Sequence, residues 1–472
     1  MSDDRSPLSR RGFVRAAGLF GAGLVVACTD DPLTVPEPPR LARGGGKGKP
    51  GPTVRNPLRI PTVQDASGPL QVAPASVDLG GGVTSNVWAY NGQFPGPTLQ
   101  VSRGGSATPQ LINGLGQPTI THWHGMLVDD VNDGHPRHAI QPAEVYDYDF
   151  TIDQRATLNW YHPHPHTLTG EQVAMGLAGA FIIRDSVESG LGLPSAPPYE
   201  VPLIVRDASF DRRGDMQYKP RSGGFEGDTP LVNGTLNAGL AADAAVYRFR
   251  ILNGSNARIY RFALSSGDPF ILIGNDGGLL ESAVEVAEIT LSPAERVDVL
   301  VDLRPRAGSS VVLQDLNAGW ELLEIMVGNR VTNNISIPTT LDSIAPLVQD
   351  GTTREFSFDG MSKINGKLYD MGASEFTVPK GDTERWRFTT KGNAPHPVHV
   401  HGAYYQIVSR TGGRGRVFPW EQGWKDTVLL EDGETVDVLI RFDHSAVSGL
   451  YVMHCHKLEH EDMGMMANFT VG

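Results

Sequence analysis

The chain has 472 residues and carries 40 lysines and arginines against 53 aspartates and glutamates, a formal net charge of −13. This acidic balance argues against a nucleic acid as partner, because a phosphate backbone is bound through an excess of positive charge. The length suffices for about three domains, and the 55 glycines and 34 prolines spread along the chain favour many short strands joined by tight turns.

The first residues have the layout of an export signal. Arg10 and Arg11 precede an apolar run at residues 16–27, as in a twin-arginine signal peptide. At about 12 residues, this run is shorter than the roughly 20 that span a bilayer. Residues 24–28 resemble a lipobox, so Cys28 is expected either to become a lipid anchor to a membrane or to be lost at an ordinary cleavage site nearby.

We therefore predict a signal peptide at residues 1–28. Residues 29–53 are rich in proline, glycine and arginine, which predicts a flexible linker. The expected location of the protein is the periplasm or the cell envelope.

The rest of the chain shows a long internal repeat. An Asn-Gly turn recurs at residues 91–92, 233–234 and 365–366, each time before a strand-like segment, which implies three copies of one domain. Residues 246–252 alternate apolar and polar side chains, as in a β-sandwich, and no long helical periodicity competes with this pattern. We expect an all-β fold with domains at residues 54–192, 193–345 and 346–472.

Ten of the 14 histidines fall into four short clusters, and this clustering is the main chemical signal of the sequence. In a strand, residues two apart share a face at roughly 6.5 Å, so each His-x-His pair aims two imidazoles the same way. Four such pairs exceed what one zinc ion uses and suit several transition-metal ions. The clusters are His122/His124, His162/His164, His396/His399/His401 and His454/His456/His460.

Cys455 lies between His454 and His456 and therefore points to the opposite face of the strand. A thiolate, two imidazoles and a weak axial thioether form a blue-copper electron-transfer site, and His396, Cys455, His460 and Met465 supply that set. The alternative for one cluster alone is a packed or surface histidine pair, and for the cysteine an inert buried side chain. Four clusters with repeated spacing favour the metal sites, and the single thiolate favours copper over zinc.

The sequence resembles the multicopper oxidases, the family of laccases, bilirubin oxidase and bacterial cuprous oxidases. The resemblance covers nearly all of the chain after the linker. It lies in His-Trp-His-Gly at residues 122–125, Trp-Tyr-His-Pro-His at 160–164, His-Pro-Val-His-Val-His-Gly at 396–402 and the His-Cys-His segment at 454–465.

This resemblance implies three consecutive cupredoxin-like Greek-key β-sandwich domains, of which the middle one has no copper ligands. It also implies four copper ions: one type 1 ion at the blue site, one type 2 ion and a type 3 pair. His122 and His399 would bind the type 2 copper. The ligands of the type 3 pair would be His124, His162, His164, His401, His454 and His456.

The reduction of dioxygen to water consumes protons as well as electrons, so the cluster needs acids nearby. Glu461 follows the ligand His460, and Asp133 follows the first histidine pair; both match positions at which the family keeps proton-relay carboxylates. Solvated turn acids are the alternative. Asp426 resembles the acid that cuprous oxidases place beside the type 1 histidine, which implies a contact with substrate; a satisfied loop acid is the alternative.

The expected activity is laccase-like: the one-electron oxidation of a phenol, an aromatic amine or a similar small reductant at an exposed type 1 edge, coupled to the reduction of O2. Copper(I) is the alternative substrate, although the 11 methionines form no methionine-rich insertion. A copper-binding or copper-free structural protein on the same fold is the non-enzymatic alternative. Of the remaining histidines, His166 is expected near the cluster or at the surface, and His135, His138 and His444 in solvated loops.

Overall fold

A computed structural model describes residues 55–221, 223–333, 335–390 and 395–472. The predicted signal peptide with Cys28 and the predicted linker lie outside these residues. Strands dominate the described chain, as expected, and they form three pairs of sheets that follow one another along the sequence.

The first third of the chain contains β1 Asn56–Pro57, β2 Val63–Asp65, β3 Ser67–Asp78, β4 Thr84–Tyr90, β5 Thr98–Ser102, β6 Ser106–Asn113, β7 Thr121–His124, β8 Val145–Asp147, β9 Phe150–Thr151, β10 Thr157–Pro163 and β11 Gly179–Arg184. One sheet has the order β2-β5-β11-β10-β7 and the other β4-β3-β6-β8, with β9 on β6. Leu99 and Phe181 of the first sheet share a buried core with Leu70 and Leu111 of the second, so the two sheets form a sandwich.

The middle third contains β12 Glu200–Ala208, β13 Thr229–Val232, β14 Thr235–Leu236, β15 Ala238–Ala244, β16 Val246–Asn253, β17 Tyr260–Leu264, β18 Phe270–Asn275, β19 Gly278–Val286, β20 Ile289–Leu291, β21 Arg296–Asp302, β22 Ser310–Asp315 and β23 Trp320–Val331. A seven-stranded sheet, β14-β13-β12-β16-β21-β18-β19, faces a six-stranded sheet, β1-β15-β23-β22-β17-β20. Both sheets contribute to one core, for example through Phe249 and Leu323.

The last third contains β24 Thr353–Asp359, β25 Lys363–Ile364, β26 Phe376–Val378, β27 Thr383–Thr389, β28 His396–Val400, β29 Tyr405–Thr411, β30 Thr427–Leu430, β31 Thr435–Arg441, β32 Gly449–Cys455 and β33 Met466–Val471. The sheets β25-β24-β27-β31-β29 and β26-β33-β32-β28-β30 enclose an aromatic core around Trp386 and Phe388. Cys455 is fully buried in the same core.

The helices that the structure describes are short and lie in connections, as the sequence predicts. The α-helices are α1 Thr169–Ala174, α2 Ser186–Gly190 and α3 Leu458–Asp462, and the 3-10 helices are Pro136–His138, Arg304–Arg306 and Pro419–Glu421. Within the described ranges, no helix combines the length and the apolar composition that crossing a membrane requires.

The last strand of the first sandwich ends at residue 184 and the middle sandwich resumes at residue 200; the middle sandwich ends at residue 331 and the third begins at residue 353. The predicted domain boundaries at 192/193 and 345/346 lie in these two intervals. The first boundary region differs in one respect, because β1 pairs in parallel with β15 of the middle sandwich. The Arg55 guanidinium also donates to Glu324 at 2.6 Å. Residues 55–57 therefore pack on the middle sandwich, although the sequence analysis assigned them to the first domain.

The polar residues of the alternating pattern that predicts β16 do not face solvent. Arg248 and Arg250 are buried, and they lie among three carboxylates of Glu188, Glu200 and Asp298. The Nε of Arg248 donates to Asp298 at 2.9 Å, and the Nε of Arg250 donates to Glu200 at 2.7 Å. Ion pairing compensates the burial of these charges, since an unpaired buried charge is strongly unfavourable.

Substitution of Phe388 by alanine tests the third core. Phe388 is fully buried and packs against Phe356, Phe358 and Trp386, so Phe388→Ala is expected to reduce the free energy of unfolding by about 3–5 kcal/mol. Denaturant titration followed by circular dichroism measures the change. Leu368→Ala, at a position that is 58% exposed, is the control and should change it by less than about 0.5 kcal/mol. Equal effects of the two substitutions would contradict this assignment of the core.

Candidate metal centres

Two strand pairs bring the histidines of the first and third sandwiches face to face. His122 on β7 lies opposite His162 on β10, and His399 on β28 lies opposite His454 on β32. Across the interface, the ring centroids of His122 and His401 are 3.8 Å apart. The eight histidines of the four His-x-His pairs thus meet in one buried cluster.

Within this cluster the imidazole nitrogens approach one another in overlapping groups of three: His122, His124 and His162; His122, His399 and His401; and His164, His401 and His454. The Nε2 atom of His454 lies 3.2 Å from Nε2 of His401 and 3.4 Å from Nε2 of His164. The His456 ring lies 5.1 Å from the ring of His124 and 5.2 Å from that of His162. The ring centroids of His122 and His399 are 5.7 Å apart.

Main-chain carbonyls fix the orientation of several rings. The Nδ1–H groups of His122, His162 and His399 donate to the carbonyls of Asp133, Pro163 and Asp426 at 2.5, 2.9 and 2.8 Å. A carbonyl only accepts, so Nδ1 carries the proton and Nε2 keeps a lone pair. The three Nε2 atoms have no hydrogen-bond partner among the described residues.

Burial also keeps these imidazoles neutral. Desolvation is the main cause that lowers the pKa of His162 and His399 to about 3 and that of His164 to about 4. A neutral, buried imidazole that donates a hydrogen bond through one ring nitrogen and keeps a free lone pair on the other is the form in which histidine binds transition metals. The residues present therefore fit the copper cluster that the sequence predicts.

The second centre lies on the other face of β32. The Cys455 thiol is 3.5 Å from Nδ1 of His396 and 3.6 Å from Nδ1 of His460, and these two nitrogens are 3.3 Å apart. Met465 is fully buried; its N–H donates to the carbonyl of His460, and its carbonyl accepts from the N–H of Cys455. The four predicted type 1 ligands are thus neighbours in the fold, and one thiol with two imidazole nitrogens suits copper.

Burial raises the pKa of the Cys455 thiol to about 12. Metal coordination requires the thiolate, so copper binding at this site would release the proton. One peptide segment joins the two centres, because Cys455 is bonded to both His454 and His456.

Two of the predicted acids touch the cluster. Oδ2 of Asp133 lies 2.7 Å from Nδ1 of His401. Glu461 places Oε2 3.1 Å from Nδ1 of His454 and Oε1 3.6 Å from Nδ1 of His164. Both carboxyl groups are buried. Desolvation, followed by the carboxylates of Asp130 and Asp129, raises the pKa of Asp133 well above its usual range, which favours a form that holds a proton.

Asp426 is not where the sequence analysis expected it. The residue is 1% exposed and lies beside His124 and His399 of the cluster, not beside the type 1 imidazoles. Its carboxylate receives two hydrogen bonds from Arg296. A surface substrate has no access to a carboxylate at this position, which argues against the expected substrate contact.

The expected exposure of the type 1 edge is also wrong. His396 and His460 are both 0% exposed, and their Nε2 atoms are buried. Electrons from a substrate therefore have to cross a covering layer of protein to reach this centre.

One of the histidines expected in solvated loops is buried as well. His135 lies in the interior and donates from Nε2 to Oδ1 of Asn468 at 3.0 Å, because the loop that carries it packs against the third sandwich. His138, His166 and His444 are partly buried. The ring of His166 lies 5.3 Å from that of Tyr369.

Sequence reasoning missed the contribution of the middle sandwich. Arg296 begins β21 and binds Asp426, although the two residues are 130 positions apart. No local pattern marks this arginine, because the middle domain has none of the histidine motifs.

Comparison with known proteins agrees with this geometry. Two family models, both described as "Multicopper oxidase", match the chain, one at residues 71–188 and the other at residues 340–472. A "Multicopper oxidase mco" from Staphylococcus haemolyticus is 34% identical over 397 residues, which are 82% of this chain and 84% of that protein. A "Laccase" from Bacillus subtilis is 31% identical over 465 residues, 81% of this chain and 89% of that protein.

Among solved structures, the McoA multicopper oxidase of Aquifex aeolicus superposes with a TM-score of 0.84 at 33% identity, over 89% of this chain and 100% of the other. The relatives therefore align across both histidine-bearing sandwiches and the middle sandwich, whose residues 193–345 contain no histidine. This chain belongs to the multicopper oxidase family.

Proposed function

We propose that the protein is a laccase-like oxidase that takes single electrons from a small reductant, a phenol or an aromatic amine, and reduces O2 to water. The observation that supports this most directly is the position of Cys455, which lies between His454 and His456 on β32 and faces the opposite side of the strand. A thiol centre and an eight-histidine cluster are thereby joined through three consecutive residues.

The proposed ligands follow from this arrangement. His396, Cys455, His460 and Met465 would hold the type 1 copper, and His122 and His399 the type 2 copper. The type 3 pair would be held by His124, His162 and His456 on one side and by His164, His401 and His454 on the other. Copper at these positions supplies the one-electron redox chemistry that the protein side chains lack.

The protein contributes protons and exclusion of water. Asp133 and Glu461 contact imidazoles on two sides of the cluster, through His401 for Asp133 and through His164 and His454 for Glu461. Each carboxyl group is within hydrogen-bonding range of the cluster and lies in a buried environment, where proton transfer is directed by geometry. We propose that both supply the protons that O2 reduction consumes.

We also propose that the protein acts outside the cytoplasm. The support is the twin-arginine pattern at Arg10 and Arg11 and the lipobox-like residues 24–28. Mass spectrometry of the mature N-terminus from the producing cell distinguishes a lipid-modified Cys28 from a chain cleaved nearby.

Copper content together with oxygen uptake tests the proposed activity. Copper-loaded protein is expected to contain about four copper ions, with blue absorption, and to consume O2 with a panel of phenols. Cys455→Ser is expected to lose the blue absorption and phenol-driven oxygen uptake. Copper without oxygen consumption would indicate a binding protein, absence of copper a structural one, and uptake with copper(I) alone a cuprous oxidase.

The Glu461→Gln substitution tests the proton relay. The amide keeps the shape of the side chain but cannot donate a proton, so turnover is expected to fall by about 10²–10⁴-fold with the copper content unchanged. Steady-state oxygen uptake measures this effect. Glu171→Gln on the neighbouring helix α1 is the matched control and should retain turnover. Full activity of the fully loaded Glu461→Gln variant would remove Glu461 from the relay.

Met465→Leu tests the axial ligand. Loss of a weak thioether ligand is expected to raise the reduction potential of the blue centre, because the axial ligand tunes that potential. Redox titration of the blue absorption band gives the value. Met463→Leu, at a position that is 42% exposed, is the control. An unchanged potential in Met465→Leu would show that the axial position is not filled by this thioether.

A further inference from the structure

Arg296 joins all three sandwiches at one buried point. It lies on β21 of the middle sandwich and is 0% exposed. Its Nη1 donates to Oδ1 of Asp426 at 2.7 Å, and its Nη2 donates to Oδ2 at 2.6 Å. Its Nε donates to the carbonyl of Leu158 on β10 of the first sandwich at 3.0 Å. The two parallel bonds to one carboxylate fix both distance and orientation, which a single point charge does not.

Asp426, whose position is held by Arg296, contacts the histidine cluster directly. Oδ1 of Asp426 lies 3.1 Å from Nε2 of His124, and the main-chain carbonyl accepts from Nδ1–H of His399 at 2.8 Å. Thr427 donates its hydroxyl to the same Oδ1 at 2.9 Å. The two hydrogen bonds from the Arg296 guanidinium mark this group as a carboxylate, which faces His124 as an acceptor.

The acceptor sets the ring orientation of His124. Because a carboxylate only accepts, Nε2 of His124 carries the proton, and Nδ1 is the nitrogen left with a lone pair. Nδ1 of His124 has no hydrogen-bond partner among the described residues. This orientation is the reverse of that in His122, His162 and His399, where Nδ1 is the protonated atom.

A second cation completes the contact between the middle and third sandwiches. Nζ of Lys425 lies 2.9 Å from Oδ2 of Asp276 and 2.9 Å from Oε1 of Glu295. Oδ1 of Asp276 accepts from the N–H of Arg296 at 2.8 Å. All of these side chains are buried. The middle sandwich thus holds residues 425 and 426 through their side chains, immediately beside the cluster.

We propose that Arg296 is a positioning residue for the three-copper centre: through Asp426 it fixes the His124 imidazole with Nδ1 toward the metal. The copper-free middle domain thereby shapes a metal centre to which it gives no ligand. This inference rests on the ligand set of the proposed function. The groups that orient a ligand imidazole through its second nitrogen typically change metal affinity by about 10–100-fold when they are lost.

The test compares Arg296→Met and Arg296→Lys with Arg248→Met in copper-loaded full-length protein. Arg248 is a matched control, because it is also a buried arginine of the middle sandwich with carboxylate partners, Asp298 and Glu188. Copper per chain, blue absorption, the type 2 signal in electron paramagnetic resonance and the melting temperature are measured for each variant.

Arg296→Met is expected to bind copper at the cluster about 10–100-fold more weakly while the blue absorption per chain remains. Arg296→Lys should show the same defect, since lysine keeps the charge but not the paired hydrogen bonds. Arg248→Met should lower the melting temperature without a selective change at the cluster. A normal cluster in Arg296→Met, or the same loss of blue and cluster copper in Arg296→Met and Arg248→Met, would overturn the inference.

Asp426→Asn keeps the test decisive if Arg296→Met does not fold. It preserves the side-chain volume but removes the carboxylate, and it should also alter the type 2 signal while the blue absorption persists. A normal type 2 signal and copper content in Asp426→Asn would overturn the positioning role. Unaltered protein that binds no copper would overturn the proposed function together with this inference, whereas variant results alone overturn only the inference.

Discussion

The hydrogen bonds that orient several of the cluster imidazoles through their outer nitrogens are the constraint on which the rest of the site depends. In His122, His162 and His399 a main-chain carbonyl accepts from Nδ1, and in His124 a carboxylate faces Nε2. Each acceptor determines which nitrogen is free to coordinate. Eight imidazoles packed together without solvent would otherwise be an unfavourable core, since buried polar atoms without partners destabilise a fold. Metal coordination would satisfy those atoms.

The electron path follows from strand geometry. Along β32 and at His456, which directly follows it, the side chains alternate between two sides of the strand. Cys455 lies in the aromatic core of the third sandwich, and His454 and His456 lie at the interface with the first sandwich. One strand therefore serves two centres without any loop between them. Because the imidazoles of His396 and His460, the proposed type 1 ligands, are buried, the surface above them would decide which reductants come close enough to transfer an electron.

The acids of the site all come from segments that adjoin a ligand-bearing element. Asp133 lies in the loop after β7, Asp426 directly precedes β30, and Glu461 is in α3 beside His460. The roles of the first two differ, although both are buried. Asp133 has a raised pKa and no cation at its carboxylate among the partners described, whereas Asp426 is bound to Arg296. An aspartate is thus placed in one case to carry a proton, as Asp133, and in the other to orient the imidazole of His124, as Asp426.

Much of the architecture and the grouping of the ligands could be predicted from short-range patterns. A period of two places His122 with His124 and separates Cys455 from its neighbours, because side chains of a strand alternate between its faces. The three Asn-Gly repeats and the strand alternation likewise gave the all-β sandwich class, which the structure confirms. Such features need only neighbouring residues, so the linear sequence contains them.

Long-range packing decided the features that the sequence analysis got wrong or did not see. These features all depend on contacts between residues that are far apart in the chain. They are the burial of Asp426 and His135, the covered imidazoles of His396 and His460, the pairing of β1 with β15 and the contact of Arg296 with Asp426. Nothing in the residues around Asp426 indicates that its carboxylate pairs with an arginine 130 positions away. The linear sequence alone determines which side chains are available and how far apart neighbouring ones lie along a strand. The packing of the three sandwiches determines which of these side chains are exposed to solvent and which distant residues they contact.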